Sequence, residues 1–95
     1  MNNIKEIIQS PVFVRKKKKL HKNQLIDLDR AIKTIAENPA IGTMKTGDLQ
    51  GIQIYKFKSQ STLILLAYEL AGAKLYLYAF GSHQNFYKAL KKYMQ

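Results

Sequence analysis

Ninety-five residues, 46% hydrophobic and 23% charged, lie on the globular side of the boundary with disorder and suffice for one core but not two, because a chain this short buries roughly two-thirds of its unfolded surface. Sixteen Lys and Arg against six Asp and Glu leave a formal charge of +10, a field that favours a polyanionic partner, either nucleic acid or an acidic protein. The absence of cysteine excludes disulfides and thiolate metal sites, and His21 and His83 lie too far apart in sequence for ligand-like spacing, so neither a metal nor a cofactor is expected. The longest apolar runs, Leu63 to Tyr68 and Leu75 to Phe80, are far below the ~20 residues of a membrane helix, and the N-terminus lacks an apolar signal core. The expectation is one domain over residues 1–95, soluble and cytoplasmic, with no membrane partner.

Taken in order, Ile4, Ile7 and Ile8 fit a short strand or a frayed helix between Asn3 and Ser10, with a short edge strand the favoured reading. Ser10-Pro11 then reads as an N-cap with proline at the first helical position, opening a helix of about ten residues through Phe13 and Leu20. Its middle, Arg15-Lys16-Lys17-Lys18-Lys19, points all the way round the helix, so at most one or two aliphatic stems can pack while the rest face solvent or an anion. His21-Lys22-Asn23 is a tight connection with Asn23 as N-cap of a second helix, in which Leu25, Leu28, Ile32 and Ile35 recur at helical spacing. Asn38-Pro39 stops that helix near Glu37.

Residues Ala40 to Gly51, with three glycines and few apolar side chains, form a loop to the sheet. Strands follow at Gly51–Lys58, Thr62–Leu70 and Lys74–Phe80, joined by turns at Lys58–Ser61 and Ala71–Ala73, as an antiparallel meander. The fold class is α+β: a twisted antiparallel sheet of three to four strands, an N-terminal αα-hairpin on one face and a short C-terminal helix. The last two strands are almost continuously apolar, which implies cover on both faces. In the first, Lys56 and Lys58 alternate with Tyr55 and Phe57 and so share one face, as edge protection or as phosphate ligands.

The most informative stretch is the junction after Phe80. Gly81 permits a positive φ or a tight turn, Ser82 is a good N-cap, and His83 and Tyr87, four residues apart, project from the same side of the helix that begins there. Phe86, Leu90 and Tyr93 or Met94 form its buried stripe, flanked by the imidazole and the phenol.

The order of these elements and certain residues together resemble the RelE/ParE family of bacterial toxins from type II toxin–antitoxin systems. The resemblance runs from about Phe13 to Tyr93. It rests on the basic hairpin, on Lys45-Thr46-Gly47-Asp48-Leu49-Gln50-Gly51 leading into Tyr55-Lys56-Phe57-Lys58, on Leu66-Ala67-Tyr68, and on Gly81-Ser82-His83 with Tyr87. It implies a twisted antiparallel sheet under a helical hairpin, and, for the RelE branch, metal-independent mRNA cleavage in the ribosomal A site. His83 would then be the acid or base, Tyr87 would orient or stack on a base, and Lys56 and Lys58 would stabilise phosphoryl charge. Arg15, Lys16, Lys17, Lys18, Lys19 and Lys45 would hold RNA. Such members often carry a phosphate-clamping arginine three residues before the strand tyrosine; here that position is Leu65, so either Lys45 or Lys56 substitutes or the chain belongs with the ParE branch, which inhibits DNA gyrase without cutting RNA. The implied partners are a cognate acidic antitoxin together with mRNA and the ribosome, or DNA gyrase. A basic nucleic-acid-binding module without toxicity is a third class.

Overall fold

A computed structural model of the chain describes residues 4–83, 86–88 and 90, apart from the side chain of Asp48. Strand β1 (Glu6–Gln9) leads into helices α1 (Pro11–Lys17) and α2 (Lys22–Glu37), followed by β2 (Thr43–Met44), β3 (Gln53–Ser59), β4 (Thr62–Ala71) and β5 (Lys74–Ser82). The described residues beyond β5 are helical. The strands form one sheet in the order β1-β5-β4-β3-β2. It is α+β as expected, but it has five strands and is not purely antiparallel. β1 runs parallel to β5, with Glu6 opposite Lys74 and Gln9 opposite Leu77. The long connection that a parallel pair requires runs through both helices and the strands β2, β3 and β4.

The expected loop after α2 contains β2 and two short 3-10 turns, Pro39–Ile41 and Gly47–Leu49. This segment is held by the buried Tyr68. Its phenol accepts from Gly42 N–H at 2.9 Å and donates to Pro39 O at 2.7 Å. Burial pushes the phenol above its ordinary pKa range, and the bond from Gly42 pulls the other way. A Cβ on Gly42 would stand 2.6 Å from the Tyr68 oxygen, so glycine is required there by close approach.

Both helices begin for local reasons. Ser10 Oγ accepts from Phe13 N–H at 3.0 Å and donates to Tyr78 O at 2.7 Å, so one hydroxyl caps α1 and ties it to β5. α1 spans seven residues, shorter than the expected ten, and the lysine run continues past its end. α2 starts two residues earlier than Asn23 suggests: His21 is its N-cap, and the Gln24 side chain accepts from His21 N–H at 2.9 Å. Its stripe of Leu28, Ala31 and Ile35 is buried, and Asn38 leaves the helical region (φ −145°, ψ 81°) before Pro39.

The sheet separates two cores. Under the hairpin, Phe13, Leu28 and Ile35 pack on Leu66, Tyr68, Leu75, Leu77 and Phe80. On the other face, Leu49, Ile52, Ile54, Leu65, Ala67 and Ala79 pack with Phe86 and Leu90. A register shift between Ala67 and Tyr68 sets Ala67 against Ala79 but Tyr68 against Leu77. Leu75, Leu77 and Phe80 can therefore share the hairpin core although the separation of Leu77 and Phe80 is odd.

Ser10→Ala removes a helix cap and a buried hydrogen bond together. It should cost about 1–3 kcal/mol in chemical denaturation, with no change in the slope against denaturant. A loss below about 0.5 kcal/mol would show that α1 is not held to β5 through this hydroxyl.

Candidate functional site

The face opposite the hairpin carries most of the residues singled out in the sequence. Directly paired residues share a face, and the register aligns Lys56 with Leu65 and Leu65 with Gly81. Lys58 pairs with Leu63 on the same side. Both lysines are exposed, so the period-two reading of β3 holds: Tyr55 and Phe57 pack toward the hairpin core and the ammonium groups project from the opposite face.

Across this face lie the helical residues after β5. Phe86 and Leu90 are buried at 4% and 0% exposure, which anchors the segment on Leu65, Ala67 and Ile54. His83 is exposed and Tyr87 half-buried beside that stripe. Their rings meet edge to face with centroids 6.3 Å apart at 85°, and Phe86 braces Tyr87 at 5.3 Å. Tyr93 and Met94 of the expected stripe lie outside the described residues. Ser82 ends β5 immediately before the helical His83, in the position of an N-cap; the cap bond would fall on residues 84–85, outside the described residues.

Lys45 joins this group. Its N–H donates to Ile52 O at 2.8 Å, which extends the β2–β3 ladder by one residue, and its Nζ stands 5.3 Å from the centre of the Tyr87 ring. Sequence placed Lys45 among RNA-holding residues and as one of two substitutes for a phosphate-clamping arginine; the structure puts it on the Tyr87 ring, so an imidazole, a phenol and an ammonium converge. Such a set can donate and accept protons and can neutralise an anion.

The basic run is divided. Arg15, Lys18 and Lys19 are exposed, on the helix pair that covers the other face, and the structure does not bring them to His83. Lys17 Nζ pairs with Asp29 at 3.5 Å. Lys16 alone reaches β5, donating to Phe80 O at 2.8 Å with Nζ 5.3 Å from the Phe80 ring centre. Partial burial lowers its pKa from the ordinary lysine value. Gly81 is not among the residues with positive φ. Its lack of a side chain matters for space, since a Cβ there would lie 2.6 Å from Lys16 Nζ.

Among the described residues no three His, Asp or Glu side chains come together to hold a metal ion, and no helix is long and apolar enough to cross a membrane.

The comparisons agree with this architecture. The family model of the ParE-like toxin of type II bacterial toxin–antitoxin systems matches residues 7–91. The fold is similar to that of a mutant of the E. coli toxin RelE in the free state, with TM-score 0.74 and 14% identity over 99% of this chain and 95% of that one. It is also similar to a chain of the intact E. coli RelBE toxin–antitoxin complex, with TM-score 0.65 and 18% identity over 82% of this chain and 95% of that one. The isolated E. coli RelE toxin gives TM-score 0.62 and 18% identity over 90% of this chain and 95% of that one. At such identities the likeness concerns the fold. No curated protein sequence matches significantly.

Leu90→Ala opens a cavity between the C-terminal helical residues and the sheet. We expect a loss of about 2–5 kcal/mol, together with faster amide exchange at His83 and Tyr87. Unchanged exchange there would mean that Leu90 does not hold the site residues in place.

Proposed function

Because the chain belongs to the ParE-like toxins of type II bacterial toxin–antitoxin systems, we propose that it arrests growth by cutting mRNA on the ribosome, without a metal. The observation that supports this reading most directly is the meeting of His83, Tyr87 and Lys45 on the sheet face that also carries Lys56 and Lys58. In such a reaction the ribose 2′-oxygen attacks the adjacent phosphorus, the bond to the 5′-oxygen breaks, and a 2′,3′-cyclic phosphate and a 5′-hydroxyl result. The 2′-hydroxyl gives up a proton and the leaving 5′-oxygen takes one up; His83 carries one of these transfers and solvent the other. Tyr87 orients or stacks on a base. Lys45, Lys56 and Lys58 offset the charge that develops on the phosphoryl oxygens. Arg15, Lys18 and Lys19, turned away from this face, add a long-range attraction toward ribosomal RNA. Work at the ribosome places the protein in the cytoplasm.

A second reading, inhibition of DNA gyrase, is favoured by Leu65. It is fully buried and apolar where a RelE-like nuclease often has a charged residue.

His83→Ala should lower the rate of mRNA cleavage in a reconstituted translation system by roughly 10²–10⁴-fold while the melting transition stays intact. Undiminished cleavage would remove His83 from the mechanism. Intact transcripts alongside relaxed plasmid DNA after induction of the wild-type protein would favour the gyrase reading.

The proposed inhibitor is an acidic antitoxin. The charge of +10 suits an acidic, folding-on-binding segment. Both sheet edges are short strands with an exposed apolar residue, Ile7 at 44% and Met44 at 57%, open to an added strand or an amphipathic helix. Co-expression with a small acidic neighbouring reading frame should yield a complex that survives affinity purification from a tag on either chain. Recovery of this chain alone, soluble and harmless to its host, would count against the antitoxin.

A further inference from the structure

We propose that Lys16 is a phosphate-contacting residue of the same sheet face, its ammonium held over Gly81 at the open edge of β5 as a docking point for the backbone of a bound RNA strand. The inference rests on the nucleic-acid reading of that face and adds to it a residue from the opposite side of the sheet.

Placement comes first. Gly81 pairs with Leu65 and so points to the face that carries His83 and Tyr87. The point where a Gly81 Cβ would stand is 2.6 Å from Lys16 Nζ and 4.0 Å from Phe86 Cδ1. The ammonium therefore occupies the space of an absent side chain, beside the helical segment that presents His83. Lys56 lies in the same cross-strand row on the other side of Leu65, about 10 Å away at the ordinary spacing of two strand intervals. Two cations thus flank an apolar floor.

The bonding follows. An ammonium has three donors, and among the described residues only Phe80 O accepts from Lys16. The neighbouring Lys17 has a carboxylate, Asp29; Lys16 has none among the described residues. Lys16 is exposed as a residue, like Arg15, Lys18 and Lys19, but its ammonium alone of the four is held against Phe80 and partly desolvated there, so a cation without a counter-ion stands ready for an arriving anion. The bond to Phe80 O and the Phe80 ring fix the ammonium in advance, which reduces the ordering cost of a contact.

The test uses the full chain and a 2′-O-methyl RNA trinucleotide, which cannot undergo 2′-hydroxyl attack. Lys16→Met should weaken binding about 10-fold or more, as expected for one charge-assisted hydrogen bond, and reduce the slope of log affinity against log salt by about 0.7. Lys33→Met, at an exposed lysine of α2, should do neither. Gly81→Ala keeps every charge but displaces the ammonium, and should reproduce the loss of affinity. In the wild-type protein, Lys16 side-chain NMR signals should shift on titration, a readout that needs no substitution. Binding with unmoved Lys16 signals and an unchanged salt slope would overturn the proposal, and absence of binding would overturn it together with the nucleic-acid reading. Binding through Lys16 by a chain that leaves mRNA intact would sustain the contact while removing the nuclease function.

Discussion

The unequal lengths of β1 and β5 are the constraint on which the rest of this structure depends. β1 stops opposite Leu77, while β5 continues to Ser82. Carbonyls on that edge beyond the end of β1 need donors, because an unpaired polar backbone group away from water is costly. Leu77 O receives Ser10 N–H, Tyr78 O receives Ser10 Oγ, and Phe80 O receives Lys16 Nζ. Helix α1 thus continues the edge that β1 begins. Its first residues act through an N-cap and its last turn through a lysine.

The same arrangement links the two faces of the sheet. α1 belongs to the hairpin core through Phe13, whose ring meets Phe80 edge to face at 4.9 Å. Its Lys16 reaches past the edge to Gly81, which faces the other core. The C-terminal helical residues close that second core with Phe86 and Leu90 and leave His83 and Tyr87 at its margin. The imidazole and the phenol therefore stand on a packed support. Tyr68, on the central strand β4, secures the loop that delivers Lys45 to Tyr87.

A face built in this way suits recognition of a flexible polyanion. Apolar residues form the floor, cations rise from β3 and from either side, and an aromatic ring is available for stacking. The positive charges divide into groups fixed by contacts, Lys16 and Lys45, and groups left to solvent, Arg15, Lys18 and Lys19. Fixed cations set geometry, while solvated ones raise the local concentration of the partner.

Sequence by itself determined the α+β class, the two helices, the three long strands and the pairing of His83 with Tyr87, because each follows from local periodicity or spacing. It also determined that Lys56 and Lys58 share a face, since alternation in a regular strand requires it. The parallel β1–β5 pair was not legible, because two helices and three strands separate its members and a chain alone does not disclose register. Nor was the face of Gly81. Alternation through Leu75, Leu77 and Ala79 would put it beside Leu77, whereas the shift at Ala67 and Tyr68 turns it to the opposite side. Five consecutive basic residues likewise look alike in sequence. Only the tertiary structure separates them, because desolvation and hydrogen bonding depend on what stands next to each ammonium: Asp29 for Lys17, the end of β5 for Lys16, and water for the rest.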